Sequence, residues 1–336
     1  MARSPFRRCS LALVGVALAV LPSSAQASND PRFAEQWGLA QIGAPAAWAS
    51  TTGAGVRIGV VDTGVDLGHD DLGGKVVAHT SCVDSGGDPG ACQGSGQDDH
   101  GHGSHVAGIA AAAKDNGKGV AGVAPDARLV VAKALDADGA GTVQEVTAGI
   151  KWVVDNGAQV VNLSFGEGLT RVLGSSLLEG VEYAWARGAI PVLAAGNENL
   201  LGIGLLSSAN YGDLNAVVVG ATTRRGDVAS YSSPLGSAKW SLVAPGGDAS
   251  SDPAERVVST WRSGDYKELA GTSMAAPHVA GGLALLLGKG LSREEAIQRI
   301  LDTADPSVRC DGACRGRLDV ARAVGPPPPP PPPPPP

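Results

Sequence analysis

The chain has 336 residues, a formal net charge of −7 and 43% apolar residues. That length suits one large α/β domain or two ordinary ones, with a sizeable core. Its Lys and Arg form no basic stripe interleaved with aromatics, which argues against nucleic acid as a partner.

The N-terminus reads as an export signal. Arg3, Arg7 and Arg8 give a positive start, and Leu11 to Leu21 is an apolar run too short to span a bilayer stably. Ala25-Gln26-Ala27 is a small-x-small cleavage site. A membrane anchor is the alternative, disfavoured by the short run and the cleavage motif. Removing residues 1–27 takes away three Arg and no acid, leaving a charge of about −10. Residues 28–50 are mixed and polar, with Trp37 and Trp48.

From Val56 the pattern alternates. Strands are expected at Val56–Val61, Arg128–Leu135, Val160–Phe165, Ile190–Ala195, Val217–Ala221 and Arg256–Trp261. Helices are expected at His102–Ala113, Val143–Val154, Leu177–Ala186 and Met274–Leu287, with a last one capped by Ser292 and running to about Ala304. Continuous apolar strands between helices predict an α/β fold, three-layer αβα, with a mostly parallel twisted sheet. No composition break divides residues 28–325, which read as one domain. Pro326 to Pro336 cannot join a core and reads as a stiff polyproline II spacer.

Cys9 falls in the signal segment. The other four cysteines are locally spaced, and pairing Cys82 with Cys92 and Cys310 with Cys314 closes two short loops, as an oxidising compartment permits. Zinc is the rival, but the four do not form CxxC pairs.

Three segments carry candidate chemistry. Asp62, in Val60-Val61-Asp62-Thr63-Gly64, ends a buried strand, the edge where open α/β sheets collect ligand and catalytic groups. Taken alone it reads as a turn former. His100, His102 and His105 crowd the start of an apolar helix. They lack the glutamate of HExxH and a nearby Cys, so one is a catalytic candidate and the others structural or exposed. Ser273, in Gly271-Thr272-Ser273-Met274-Ala275-Ala276-Pro277-His278, opens a long apolar helix, where free N–H groups and the positive dipole end face a developing oxyanion. Taken alone it reads as a helix N-cap. Together the segments supply an acid, a base and a nucleophile in the order Asp, His, Ser, the order of subtilisin.

These motifs resemble those of the subtilisin-like serine proteases, in the style of the thermitase-like members, over Asp30 to Val324. The resemblance implies a subtilisin-like fold and a secreted serine endopeptidase that works through an acyl-enzyme. Asp62 would be the triad acid, His102 the base and Ser273 the nucleophile, with His105 buried and structural and His100 an exposed loop residue. Asn197, in Ala194-Ala195-Gly196-Asn197-Glu198, would donate to the oxyanion beside the Ser273 N–H. Ser164, Phe165 and Gly166 would pair with an extended peptide, and Ala194, Ala195 and Gly196 would wall the first specificity pocket, favouring a large apolar residue before the scissile bond. Glu198 at its rim would tolerate a basic residue.

The same resemblance implies no cofactor for catalysis and a structural calcium ion on Asp30, Asp71 and Asn116, with carbonyls near Ala113, Lys118 and Val120. The expected partners are extended polypeptide substrates. The expected state is a monomer without stable membrane insertion after signal removal, extracellular or held at the cell surface through the proline tail. Too few residues separate Ala27 from the catalytic pattern to build the inhibitory pro-domain common in the family. Residues 82–99, rich in Gly and Asp, are an insertion that reads either as a stapled rim on the cleft or as a surface loop. A catalytically dead peptide-binding relative is the competing function, and the presence of all three triad residue types and Asn197 argues against it. A dinucleotide-binding oxidoreductase fails because no GxGxxG follows a strand.

Overall fold

The structure, a computed structural model, describes Met1 and residues 28–164, 175–197 and 212–326. The expected signal segment (beyond Met1), Phe165, Gly166, Glu198 and the proline run after Pro326 lie outside the described residues.

Two short helices, α1 (Trp37–Gln41) and α2 (Ala44–Ala47), lead into strand β1 (Arg57–Asp62). There follow β2 (Val76–Ser81), α3 (His102–Ala111), β3 (Arg128–Lys133), α4 (Val143–Asp155), β4 (Val160–Leu163), α5 (Ser175–Ala186), β5 (Ile190–Ala194), β6 (Val217–Thr222) and β7 (Trp240–Pro245). The seven strands form one sheet in the order β2-β3-β1-β4-β5-β6-β7, parallel throughout. Strands β8 (Val257–Thr260) and β9 (Tyr266–Leu269) pair antiparallel, apart from the main sheet. Helices α6 (Thr272–Gly288), α7 (Arg293–Asp302) and α8 (Val320–Val324) complete the chain.

Strand alternation divides the core in two. Ile58 and Val60 pack with Val106 and Ile109 of α3 and Leu283 of α6, whereas Val61 packs with Val146 and Ile150 of α4 and Val181 of α5. The result is the three-layer α/β architecture with helices on both faces. Gly59 of β1 shows how tight the layers are: a Cβ there would lie 2.9 Å from Val153 Cγ2 of α4. Ser292 caps α7 as expected, in a reciprocal box with Glu295.

The sequence reading passed over three strands. Only one residue of β2 is fully buried, because it is an edge strand, so its apolar run is broken. The run of β7 is short and ends at Pro245. β9 reads Tyr-Lys-Glu-Leu and is a strand through its hairpin partner. Among the described residues no helix is long and apolar enough to cross a membrane.

Candidate active site

Asp62 is the last residue of β1, fully buried at the C-terminal edge of the central sheet. Its Oδ1 accepts hydrogen bonds from His102 Nδ1 at 2.7 Å and from the Thr63 N–H at 2.8 Å. Its buried Oδ2 has no partner among the described residues.

His102 is the first residue of α3, and the glycines around it explain how it reaches Asp62. Gly101 has φ 113°, a left-handed conformation natural to glycine, and a Cβ there would run into the Trp261 ring. A Cβ on Gly103 would strike the Gly64 carbonyl. Bare backbone at these two positions lets the helix start press onto the Asp62–Gly64 turn.

Two opposing effects act on the His102 imidazole. Burial pushes its pKa down, but the Asp62 charge and hydrogen bond, with the charge of Asp98, outweigh burial and hold it above the ordinary histidine value. His105 differs. It is fully buried, its Nε2 donates to the Lys267 carbonyl at 2.9 Å, and burial pushes its pKa down to about 3, so it stays neutral. His100 is half-buried rather than exposed. Its Nδ1 accepts the His102 N–H at 3.3 Å, and its ring lines the cleft with His102, Trp261 and Ser273.

Ser273 is not the cap of α6. The cap is Gly271, and Ser273 is the second helical residue, so its N–H has no acceptor within the helix. Its carbonyl accepts from Ser164 Oγ at 2.9 Å, and Ser164 Oγ in turn accepts from Asn162 Nδ2 at 2.9 Å. Ser164 therefore stands directly beneath the start of α6.

Asn197 is fixed by the same helix start. Its Oδ1 accepts from the Thr272 N–H at 2.9 Å and from Thr272 Oγ1 at 3.2 Å, while Thr272 Oγ1 accepts from the Gly196 N–H at 3.1 Å. With the amide oxygen held, Nδ2 is turned away from it. The point where a Gly271 Cβ would stand lies 3.4 Å from Asn197 Nδ2 and 3.7 Å from both Ser273 N and Asn197 Oδ1, the latter already accepting from Thr272. The missing side chain leaves open a space that two N–H donors border. Ala194, Ala195 and Gly196 run buried into this turn from the end of β5.

Away from the cleft, Asp30, Asp71 and Asn116 are brought together. The Asn116 N–H donates to Asp30 Oδ1 at 3.1 Å and its Nδ2 to Asp71 Oδ1 at 2.8 Å. Asp71 Oδ2 also accepts from the Val120 N–H and the Tyr266 hydroxyl. Among the described residues no group of three or more His, Cys, Asp or Glu is arranged to hold a metal. The present set has two carboxylates and one amide, whose nitrogen faces Asp71 and whose oxygen accepts the Lys118 N–H at 2.8 Å.

Disulfides join Cys82 to Cys92 and Cys310 to Cys314. The first closes the insertion before His102, and Glu145 of α4 accepts the Asp84 N–H of that loop at 2.6 Å. Trp261 and Asp98 went unnoticed in the sequence. Trp261 sits at the end of a predicted strand, and Asp98 is one Asp in a Gly- and Asp-rich stretch.

The chain is similar to known proteins. The model of the subtilase family matches residues 53–325. Thermitase from Thermoactinomyces vulgaris is 38% identical over 301 residues, covering 88% of this chain and 98% of thermitase. Subtilisin Savinase from Lederbergia lenta is 40% identical over 258 residues, covering 76% of this chain and 85% of that protein. A solved protease structure from Pseudoalteromonas arctica superposes with a TM-score of 0.73 at 28% identity, covering 89% of this chain and 99% of that one. The chain belongs to the subtilase family and is a serine endopeptidase.

Proposed function

We propose that the endopeptidase works through Asp62, His102 and Ser273, with Asn197 and the Ser273 N–H as oxyanion donors. The supporting observation is the 2.7 Å bond from His102 Nδ1 to the buried Asp62, with the ring lining one cleft with Ser273 and Asn197. Asp62 fixes the tautomer that leaves Nε2 unprotonated. Ser273 Oγ attacks the substrate carbonyl as His102 Nε2 takes its proton, and Asp62 steadies the imidazolium. The carbonyl oxygen becomes an oxyanion between Asn197 Nδ2 and Ser273 N. His102 returns its proton to the leaving amine as the C–N bond breaks, giving the acyl-enzyme. Water then attacks the ester with His102 again as base, releasing the acid and restoring Ser273. A serine-directed phosphonate should form its adduct on Ser273 and fail to do so in His102→Ala; an adduct elsewhere rejects the assignment.

Extended polypeptide binds at Ser164, Phe165 and Gly166 by main-chain pairing, and Ala194, Ala195 and Gly196 wall the pocket for the residue before the scissile bond. Small apolar walls favour a large apolar residue there, with otherwise broad cleavage. A peptide-library scan checks this: enrichment of Leu, Phe or Met at that position is expected, and strict selection for acidic residues sinks it.

The protein is proposed to be exported, cleaved after Ala27, to act as an extracellular monomer of domain 28–325, and to carry residues 326–336 as a spacer or cell-surface stalk. No cofactor takes part in catalysis. A calcium ion on Asp30, Asp71, Asn116 and nearby carbonyls would tie the N-terminal segment to the loop after α3, since an all-oxygen set suits a hard cation. Calcium at about 100 times its Kd stabilises by about 2.7 kcal/mol, so for a domain of about 300 residues chelation should lower Tm by about 4 °C. An unchanged melting curve rejects the site.

A further inference from the structure

Asp98 takes no part in the steps above, yet it is only 4% exposed. It lies in the loop between β2 and α3, four residues before His102. Its Oδ1 accepts from Thr63 Oγ1 at 2.8 Å, the His100 N–H at 3.0 Å and the Gly101 N–H at 2.8 Å. Its Oδ2 accepts from the Ser104 N–H at 2.9 Å and Ser104 Oγ at 2.6 Å. A buried carboxylate is unfavourable unless its lone pairs are filled, and here five donors fill them.

The origin of those donors is what matters. Thr63 follows Asp62 in the chain, while His100, Gly101 and Ser104 surround His102. Thr63 Oγ1 also accepts from the Gly103 N–H at 2.9 Å, so one hydroxyl bridges Asp98 to the first turn of α3. Capping the helix would require bonds to its free N–H groups alone. The added bond to Thr63 couples the β1 turn to the helix start, and the distance between those two pieces sets the Asp62–His102 contact.

We propose that Asp98 is a positioning residue for His102: it locks the Asp62–Thr63 turn to the start of α3 and adds its charge to that of Asp62 in stabilising the imidazolium formed during turnover. The proposal rests on the roles given above to Asp62, His102 and Ser273.

Asp98→Asn removes the charge and leaves one atom unable to accept from Ser104. Assayed on folded protein well below its Tm, the variant should lose about 10- to 100-fold in kcat/KM, as expected for a small misplacement of a catalytic group. KM should change less than about 2-fold, because Asp98 acts on the base and not on substrate. The acid limb of kcat/KM should move to lower pH. The base must be unprotonated to act, the Asp98 charge favours its protonated form, and removing that charge lets it lose the proton at lower pH. The other ionisable groups near the ring are left in place: Asp62 of β1, His100, His105 of α3, Lys133 of β3 with its partner Asp99, and Lys267 of β9. Thr63→Val should lower kcat through the lost bridge, and Thr63→Ser should restore it.

An Asp98→Asn protein that melts lower but keeps kcat/KM and the acid limb of the parent overturns the proposal. If Asp98→Asn does not fold, the Thr63 pair decides, and equal kcat in Thr63→Val and Thr63→Ser overturns it. Phosphonate labelling separates the two readings. A parent protein without an adduct on Ser273 defeats the triad and this inference together. A labelled parent with an unaffected Asp98→Asn defeats this inference and leaves the triad standing.

Discussion

Replacing Ser273 by Ala should lower kcat by about 10⁶-fold, the size of the loss measured in subtilisin itself when nucleophile or base is removed. The physical reason is that a serine hydroxyl is a weak nucleophile until a base takes its proton, and the base is useful only when there is a hydroxyl to activate. The two residues therefore act as one unit. His102→Ala should lose about as much, and the double variant should lose little more than either single one. Stability distinguishes the singles. Ser273→Ala removes one oxygen near the start of α6, whereas His102→Ala takes a hydrogen-bond partner from the buried Asp62 carboxylate and should destabilise by about 1–3 kcal/mol. Kinetics of all three proteins, with melting curves to confirm folding, check the unit. A Ser273→Ala protein keeping more than about 1% of the parent kcat, free of contaminating protease, would show that another group attacks the substrate.

Much of this molecule was legible because its signals are local. β1, β3, β4, β5 and β6 lie inside the sheet and are buried on both faces, so each appears as a run of Val, Ile, Leu and Ala. Ser292 and Glu295 form a cap box within one helical turn. Of the strands passed over, β2 and β7 lean on neighbours distant in sequence, and β9 on its hairpin partner β8. The C-terminal segment, for example, pairs by backbone with β7 at Val243, which bonds Gly316 and Leu318 on either side of Arg317. Ser273 illustrates the same limit. Taken alone it reads as a cap, because the positive φ of Gly271 (156°), open to glycine, and the Asn197 oxygen that engages Thr272 are tertiary facts. Asp98 is half legible at best: four of its five donors lie within six residues of it and read as an ordinary turn, and only the bond to Thr63, 35 residues away, is supplied by the fold.

Asn197 offers the second large effect and the sharper separation of catalysis from structure. Its side chain has two ends with different duties. The oxygen accepts from Thr272 at the start of α6, a structural bond worth about 1 kcal/mol by analogy with helix caps. The nitrogen borders the space beside Gly271 together with Ser273 N. Truncation to Ala removes both ends and confuses the two. Asn197→Asp keeps an oxygen for Thr272 and places a negative charge at a helix N-terminus, where the dipole favours it. Folding should be retained within about 1 kcal/mol. The other end changes from a donor to a second acceptor, facing the site where negative charge develops. The expected loss in kcat is at least about 10²–10³-fold, the cost of removing the matching asparagine in subtilisin. KM should hardly move, because the donor engages the oxyanion of the transition state more strongly than the ground-state carbonyl. A loss confined to KM, or a kcat within about tenfold of the parent, would mean that Asn197 serves α6 and that the oxyanion is stabilised from elsewhere.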